Sequence, residues 1–388
     1  MNILQRLKAS NVLPKVMFVG AIVAVCAVAV APALAVVPAD WTLVATPVID
    51  STTTPYDTSA NGVGSPSVEW DPITNQFIMV FEYKTDIVSA LCTGGVWGLG
   101  IARSPDNVTW TVDANPLYVP TPGDGTYYSC VTAHPAVMWS ENSIDGTAGD
   151  DLRVYFKAQQ GTDACLAGTP SWGCNTYTGV GDILVELDAA GLVENIDIAP
   201  VPDVYMDQEF GYGNVIQRGS DGKYVMLLQQ KALETSRRWD IYALSSFDER
   251  SGWGSAYKVM QPSTAISWAS NELYTPTLMC MPQVGANFPL RAFIAGHTYT
   301  GAAITSAGWA VTNNNNGLGY LWTVPGAPQF SWTNGDEWKH LDGLRIGPDE
   351  YMIWFAEKNT ATGKIQIRTG STTNNVFTSA DVVDRRCN

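Results

Sequence analysis

Acidic side chains stand at the start of three apolar, strand-like segments in the second half of the chain. Glu209 precedes "FGYGNVIQ", Glu272 opens "ELYTPTL", and Glu337 and Asp342 bracket the start of "HLDGLRI". Carboxylates that lie close together move one another's pKa values apart, so that one holds a proton while another stays ionised. We therefore take Glu209, Glu272, Glu337 and Asp342 as candidate catalytic acids and bases. The alternative for each is an ordinary solvated loop residue.

Aromatic residues flank these acids. Tyr212, Tyr274 and Trp338 lie within a few residues of them, and Asp207 lies beside Glu209. Sugar rings pack their C–H faces on aromatic planes, while their hydroxyls seek carboxylates and amides. We therefore predict that Asp207, Tyr212, Tyr274 and Trp338 bind substrate. Many of the 14 tryptophans also fit as packing between sheets.

The chain has three histidines, and two of them begin strand-like segments at equivalent places. These are His134 in "HPAVMW" and His340 in "HLDGLRI". Strands that converge on one axis would bring the two imidazoles together, where they either orient a substrate or hold a metal with Asp342. A hydrogen-bonded structural role is the open alternative. We assign His134 to substrate binding and His340 to a metal.

A repeat positions all of these residues. Five segments share a polar start, alternating apolar residues, a turn and a second apolar strand, and they begin at Gly64, Ala133, Gly211, Tyr274 and His340. Regular spacing at this scale indicates one sheet per repeat. Short strands separated by Gly, Asn and Asp turns predict four-stranded sheets arranged radially, which is an all-β, five-bladed β-propeller. The opening "WTLVATPVID" is predicted to add an outer strand that closes the ring with the last sheet.

A second short pattern recurs after the third strand of two repeats. A Ser, an Asp and a Trp follow one another at Ser104, Asp106 and Trp110, and again at Ser246, Asp248 and Trp253. The Asp side chain of such a turn accepts backbone N–H bonds. We interpret it as a folding device.

The first 35 residues have the pattern of an export signal. A basic start is followed by the apolar run "VMFVGAIVAVCAVAVAPALA", and Ala33 and Ala35 form a small-x-small cleavage site. We predict cleavage after Ala35, a secreted or periplasmic location and no membrane insertion, with residues 36–388 forming a single propeller domain. A retained anchor is the alternative.

The excess of acidic residues restricts the kinds of molecule that the protein is expected to bind. The chain has 22 basic and 37 acidic residues. A negative field repels nucleic acid and anionic membranes, so a neutral glycan or a cation is the more natural partner. The alternative is that the acidity serves solubility alone. We expect a monomer.

Six cysteines follow the signal, which in an exported chain predicts up to three disulfides. Cys165 with Cys174 is the predicted local pair. Cys280 is the predicted partner of Cys387.

The segments "SPSVEWDPITNQFIMVFEY", "HPAVMW", "GIARSPDNVTW" and "EFGYGNVIQRGSDGKYVMLLQQ" resemble the five-bladed propeller glycosidases of the arabinanase, xylosidase and levansucrase type, which are similar to glycoside hydrolase family 43. The resemblance covers nearly the whole chain after the signal. It implies three carboxylates at the starts of inner strands, facing an axial funnel. It also implies an axial calcium near His340, and no other cofactor is required.

Two of the three catalytic positions depart from that family pattern. The first falls on Ser65 and the second on His134, where the resemblance implies Asp, and the third falls close to Glu209. Glycoside hydrolysis needs one carboxyl group to protonate the leaving oxygen and another to activate water or attack carbon. The sequence therefore supports two functions: a glycoside hydrolase with relocated acids, or a glycan-binding or surface-interaction propeller without catalysis.

Overall fold

The computed structural model describes residues 41–44, 46–56, 62–92, 94–146, 151–160, 178–206, 210–218, 221–231, 239–280, 290–298, 304–312, 322–324, 327–332, 338–347, 350–359, 361–372 and 385. These residues belong to one compact unit, Val37–Asn388. Within the described ranges the chain is all-β, and none of it forms a helix of the length and apolarity that crossing a bilayer requires.

The strands of the first half are β1 (Thr42–Leu43), β2 (Val63–Asp71), β3 (Gln76–Lys84), β4 (Trp97–Ser104), β5 (Thr111–Val112), β6 (Val131–Trp139), β7 (Leu152–Gln159), β8 (Thr178–Leu187), β9 (Val193–Ile198) and β10 (Val204–Met206). Those of the second half are β11 (Phe210–Gln217), β12 (Tyr224–Lys231), β13 (Trp239–Ser246), β14 (Tyr257–Met260), β15 (Glu272–Met279), β16 (Leu290–Thr298), β17 (Ile304–Thr312), β18 (Trp322–Thr323), β19 (Phe330–Trp332), β20 (Trp338–Gly347), β21 (Glu350–Lys358) and β22 (Ile365–Ser371).

The strands form successive antiparallel meanders. The first runs β2 to β5, the second β6 to β9 with β10 on β8, and the third β11 to β14. The fourth runs β15 to β17 with β18 and β19 on β17, and the last runs β20 to β22. Short connections join β2 to β3 and β20 to β21, as in hairpins, and the other paired neighbours have longer connections.

The N-terminal strand completes the last meander, as the sequence predicted. Thr42 of β1 pairs with Ser371 of β22 and Leu43 pairs with Gly370. The backbone of Ile49 adds a further bridge to Ile367. The pairing covers the outer edge of β22, which would otherwise expose unpaired N–H and C=O groups.

The first strands of the five meanders pack against one another in a closed order. β2 contacts β6, β6 contacts β11, β11 contacts β15, β15 contacts β20, and β20 contacts β2. Side chains reach across this ring to backbone N–H groups of the next strand. The N–H of Val137 donates to Ser67 Oγ at 3.0 Å, and that of Leu278 donates to Asn214 Oδ1 at 2.9 Å.

Each of these five inner strands has an irregularity in register near its start. The shifts fall between Gly64 and Ser67, Ala133 and Ala136, Gly211 and Gly213, Tyr274 and Thr277, and Lys339 and Leu341. Proline follows the bulged residue in three strands, at Pro66, Pro135 and Pro276. A bulge tolerates proline because the ladder needs no N–H there.

Apolar clusters fill the space between the meanders. Large buried aromatic residues such as Trp139, Trp309 and Trp354 lie in three of these clusters. The alternating pattern of the strands places one face of each meander against its neighbour, which excludes water from both.

The two Ser/Asp/Trp patterns form the predicted turns. Asp106 Oδ1 accepts the N–H groups of Val108 at 2.9 Å and Thr109 at 2.7 Å. Burial alone would raise the pKa of Asp106, but the hydrogen bonds from Thr109, Val108 and Ser104 together lower it. Asp248 likewise accepts the N–H groups of Arg250 and Ser251 at 2.8 Å.

A disulfide joins the first and second meanders. Cys92 follows β3, Cys130 precedes β6, and their Cα atoms lie 5.5 Å apart. Cys280 is also disulfide-bonded. Its predicted partner Cys387 and the predicted pair Cys165 and Cys174 lie outside the described residues.

Removal of the Cys92–Cys130 bond should destabilise the protein. Because the bond closes a loop of 38 residues, we expect the double substitution Cys92→Ala with Cys130→Ala to lower the free energy of unfolding by about 2–4 kcal/mol. Urea denaturation of both proteins without reductant measures the change and leaves the disulfide at Cys280 in place. Equal unfolding midpoints and slopes would show that the bond contributes nothing.

Candidate functional site

The starts of the five inner strands form what we call the inner-strand mouth. It is lined by the bulge residues Ser65, His134, Thr275 and His340 and by Gly211. Glycine suits its position because a Cβ there would lie 3.2 Å from Cε1 and Nδ1 of His134 and 2.6 Å from Nε2 of Gln229. The mouth is therefore a place where several strands approach closely.

The four bulge residues with side chains adopt left-handed backbone conformations. The φ angles are 44° at Ser65, 52° at His134, 50° at Thr275 and 67° at His340. Such a conformation costs a non-glycine residue on the order of 1–3 kcal/mol and persists only where its surroundings impose it. Backbone strain of this kind is concentrated at functional sites.

Side chains from the second strands hold two of these bulges in place. Glu82 Oε2 on β3 accepts the N–H of His134 at 2.9 Å. Gln229 Oε1 on β12 accepts the N–H of Thr275 at 2.7 Å. Each bond joins one meander to the next, so the bulged conformation is tied to the packing of the ring.

The two histidines that begin inner strands meet at the mouth, as the sequence predicted. The ring centroids of His134 and His340 lie 4.4 Å apart, with their planes inclined by 46°. Glu82 completes the group, and its Oε2 lies 3.6 Å from Nε2 of His134. One ligand atom from each of the three residues lies within 4.8 Å of the others. Glu82, rather than the predicted Asp342, is therefore the acid beside the histidines.

Two hydroxyl groups at the mouth have no hydrogen-bond partner among the residues that the structure describes. Ser65 and Thr275 are almost fully buried, and within those residues neither Oγ of Ser65 nor Oγ1 of Thr275 contacts a donor or acceptor. Buried polar groups without partners cost free energy, so they are normally satisfied by water or a ligand.

Asp342 lies two residues beyond His340 in β20 and is fully buried in a hydrogen-bonded network. Both of its carboxylate oxygens lie 2.6 Å from Nη2 of Arg385. Its oxygens also accept hydrogen bonds from the N–H of Val68 at 2.7 Å and from the hydroxyl of Thr277 at 2.7 Å. Asn214 of β11 also donates to Asp342, at 3.1 Å. The carboxylate of β20 is thus hydrogen-bonded to residues of the three inner strands β2, β11 and β15.

We call Glu69, Asp342 and Arg385 the axial lock. Arg385 Nε lies 3.6 Å from Glu69 Oε2, and Nη1 donates to Asn214 Oδ1 at 2.8 Å. The side chains of all three residues are at most 2% exposed. Asp342 therefore has its oxygens committed to the protein, which is a structural environment and differs from the solvent-facing position expected of a catalytic acid.

Glu272 lies at the start of β15 and is partly exposed. Its Oε2 lies 3.7 Å from Nδ1 of His297 on the paired strand β16. Tyr274 lies two residues further along β15 and is half-buried. These two predicted site residues therefore share the inner strand whose bulge residue is Thr275.

The remaining predicted residues are placed only in part. Tyr212 lies in β11 at its register shift, and Trp338 begins β20. Asp207, Glu209 and Glu337 lie outside the described residues.

Sequence reasoning missed Glu82 and Arg385. Glu82 stands in the apolar strand "QFIMVFEYK", where a single acid in a buried run was the available signal. The equivalent positions on the second strands of the next two meanders hold Lys157 and Gln229, paired with Ala133 and Gly211. Arg385 lies in the polar C-terminal segment and had no comparable signal.

The donor set at the mouth does not match the predicted calcium. Calcium takes six to eight oxygen ligands. The group of Glu82, His134 and His340 offers two imidazole nitrogens and one carboxylate, a set that suits a transition metal.

No protein-family model and no curated protein matches the chain. Similarity is found instead among solved structures. An endo-arabinase of Bacteroides thetaiotaomicron has a TM-score of 0.52 and 14% identity, over 83% of this chain and 96% of that one. A glycosyl hydrolase of Bacteroides ovatus has a TM-score of 0.53 and 13% identity, over 84% and 91%.

A third similar structure has a TM-score of 0.54 and 13% identity, over 85% of this chain and 93% of that one. It is described under the GH130 family of mannoside phosphorylases, which contains glycoside hydrolases that target β-1,2 mannosidic linkages in Candida mannan. At these identities the likeness concerns the fold alone. The described chain has a glycoside hydrolase-like all-β fold.

Proposed function

We propose that this chain is an exported five-bladed β-propeller of glycosidase type that acts on a neutral carbohydrate at the inner-strand mouth. The closed contact order of the five inner strands carries the proposal. It supports five radial blades whose strand starts line an axial funnel, the arrangement in which propeller-type folds bind ligands. The glycoside hydrolases among the similar structures support a carbohydrate as the ligand.

Glu209 and Glu272 are the proposed acid and base. Glu272 is partly exposed at the start of an inner strand, and Glu209 precedes the neighbouring inner strand in the sequence. Glu337 remains a further candidate from the segment before β20. Asp342 is left out of the proposed acids because its carboxylate is bound by Arg385 and fully buried.

Carbohydrate binding is assigned to the surrounding residues. Tyr274 is half-buried beside Glu272, and His134 lies at the mouth. Asp207, Tyr212 and Trp338 complete the proposed set from the sequence. Aromatic planes with nearby acids fit both the C–H faces and the hydroxyls of a sugar.

A screen of arabinose-, xylose-, fructose- and galactose-containing glycans tests the proposal. We expect the purified protein to release reducing sugar from at least one glycan, and Glu209→Gln and Glu272→Gln each to lower kcat by about 10²–10⁴-fold, because each removes a proton-transfer group. Glu194→Gln, an exposed acid on the outer strand β9, is the matched control. Unchanged turnover in Glu272→Gln would remove that residue from the mechanism.

A glycan-binding protein without catalysis is the second candidate. It is favoured by the presence of a buried serine, Ser65, and a partly exposed histidine, His134, in bulges where the resemblance implies catalytic Asp residues. In that case no glycan is cleaved, but calorimetry detects binding that Tyr274→Ala weakens. Absence of both cleavage and binding across the panel would contradict both candidates.

A further inference from the structure

The group of Glu82, His134 and His340 has the composition of a metal site. Its members come from three different strands, β3, β6 and β20, and lie at the inner-strand mouth. We propose that these three side chains bind one divalent transition-metal ion of the zinc type.

The distances are close to those of a bound ion. Ligands about 2.1 Å from a tetrahedral metal lie roughly 3.4 Å from one another. Glu82 Oε2 and His134 Nε2 are 3.6 Å apart, and the ligand atoms of all three residues lie within 4.8 Å. The imidazole planes are inclined by 46° and are not stacked in parallel, an arrangement in which the in-plane lone pairs of the two rings could not converge on one ion.

The backbone holds the ligands before any ion arrives. Both histidines are fixed in left-handed bulges of the inner-strand ring. The Glu82 oxygen that faces the His134 imidazole also accepts the His134 N–H at 2.9 Å, which orients the carboxylate. A metal site needs ligands positioned by rigid elements in this way.

The absence of a side chain at Gly211 leaves room beside the ligands. A Cβ there would lie 3.2 Å from Nδ1 of His134, so the backbone of β11 forms a wall close to the imidazole. The hydroxyls of Ser65 and Thr275, which lack partners among the described residues, lie in the bulges of β2 and β15, the two inner strands that contact β20. Water bound to the ion would supply hydrogen-bond partners there.

The donor types select the kind of ion. Two imidazoles and one carboxylate are typical of zinc and similar metals, whereas calcium requires oxygen ligands throughout. The net charge of −15 raises the local concentration of any cation. Three protein ligands leave a coordination position for water, as in zinc sites that carry out chemistry.

Metal binding itself does not rest on the proposed glycosidase function. The site can bind an ion whether or not a glycan is cleaved. Glycan turnover is therefore not used as the readout, and failure of either proposal leaves the other testable.

Titration of the full-length chelator-treated protein with Co²⁺ tests the site, since Co²⁺ reports ligation by its visible absorption. We expect one Co²⁺ per chain, displacement by one equivalent of Zn²⁺, and no displacement by Ca²⁺. Glu82→Gln, His134→Gln and His340→Gln should each weaken Zn²⁺ binding by at least about 100-fold, because each removes a direct ligand. His297→Gln is the matched control, because the third histidine has a glutamate neighbour, Glu272, and stands outside the group.

Circular dichroism identifies any variant that fails to fold, and the pH dependence of the wild-type protein then provides an independent measurement. Because both imidazoles must lose protons to bind the ion, Zn²⁺ affinity should fall steeply from pH 7.5 to pH 5. The proposal is overturned if the wild-type protein binds less than one Co²⁺ per chain at micromolar concentration. It is also overturned if His297→Gln weakens binding as much as His340→Gln, or if Ca²⁺ displaces Co²⁺.

Discussion

Substitution of Asp342 by Asn should lower the free energy of unfolding by about 3–5 kcal/mol, because it leaves Arg385 buried without its main counter-charge. Both residues are at most 2% exposed, and Nη2 of Arg385 contacts both Asp342 oxygens at 2.6 Å. Arg385→Met should lower the free energy of unfolding by a similar amount, because it leaves the Asp342 carboxylate buried without its counter-charge. Urea denaturation at neutral pH measures both changes.

The double variant tests whether the two residues act as a pair. We expect its loss to be smaller than the sum of the single losses by about 1–3 kcal/mol, since the second substitution removes a charge that is already unpaired. Asp197→Asn is the control, because the Asp197 side chain is 54% exposed and its ion pair with Arg250 should contribute about 1 kcal/mol or less. An Asp342→Asn variant as stable as Asp197→Asn would show that the axial lock does not stabilise the ring.

Asp203 should make the stability of the protein depend on pH. Burial, followed by the charge of Asp182 and a hydrogen bond to it, raises the pKa of Asp203 to about 9. Among the described residues no donor forms a hydrogen bond to Oδ2 of Asp203, while Oδ1 of Asp182 lies 3.6 Å from Nε of Arg250, so a proton on Asp203 relieves the repulsion between the two carboxyl groups. The charges of Arg153 and Arg250 oppose the rise in the pKa of Asp203. Burial, with the charge of Asp203 among the further causes, raises the pKa values of Tyr127 and Tyr155.

The sign of the effect follows from proton counting. Between the ordinary pKa of a carboxyl group and about 9, the folded protein keeps a proton on Asp203 that the unfolded chain releases. Asp203 therefore destabilises the folded protein least at low pH. As the pH rises through this window, the free energy of unfolding falls by about 1 kcal/mol per pH unit.

Asp203→Asn should remove that dependence, since the amide resembles the protonated carboxyl group and does not titrate. The stability of Asp203→Asn relative to the wild-type protein is expected to increase steadily from pH 5 to pH 8. Urea denaturation at each pH provides the comparison. Asp106→Asn is the control with the opposite sign, because its pKa is lowered and its contribution is lost only in acid. Parallel pH profiles for Asp203→Asn and the wild-type protein would exclude a proton held by Asp203.

Much of the fold was predictable because its signals are local. Alternating apolar residues and Gly, Asn and Asp turns specify hairpins, and the repeat of these hairpins predicted successive meanders. The Ser/Asp/Trp turn at Ser104 was predictable for the same reason, since all of its bonds lie within a few residues. The pairing of β1 with β22 spans the whole chain, but the last meander has three strands of its own among the described residues, which leaves the outer edge of β22 for the N-terminal strand to cover.

The candidate site was predicted only in part, because its contacts are made between meanders. The equivalence of His134 and His340 in the repeat was enough to predict that they meet, and the structure places their rings 4.4 Å apart. The repeat does not specify which acid joins them. Asp342 is the acid nearest to His340 in the sequence, yet its side chain binds Arg385 in the axial lock. The acid beside the histidines is Glu82, which lies on β3, 52 residues before His134.

The sequence by itself determined the all-β class, the succession of hairpins and the equivalent positions of His134 and His340 at the starts of inner strands, since each follows from side-chain periodicity and turn preference within short segments. Only the tertiary structure decided which side chains share a site and which are structural. A carboxylate at the start of a strand has the same local sequence signal whether it faces the mouth or is buried against an arginine from the C-terminal segment. The partner determines its role, and for Asp342 that partner is Arg385, 43 residues away in the chain.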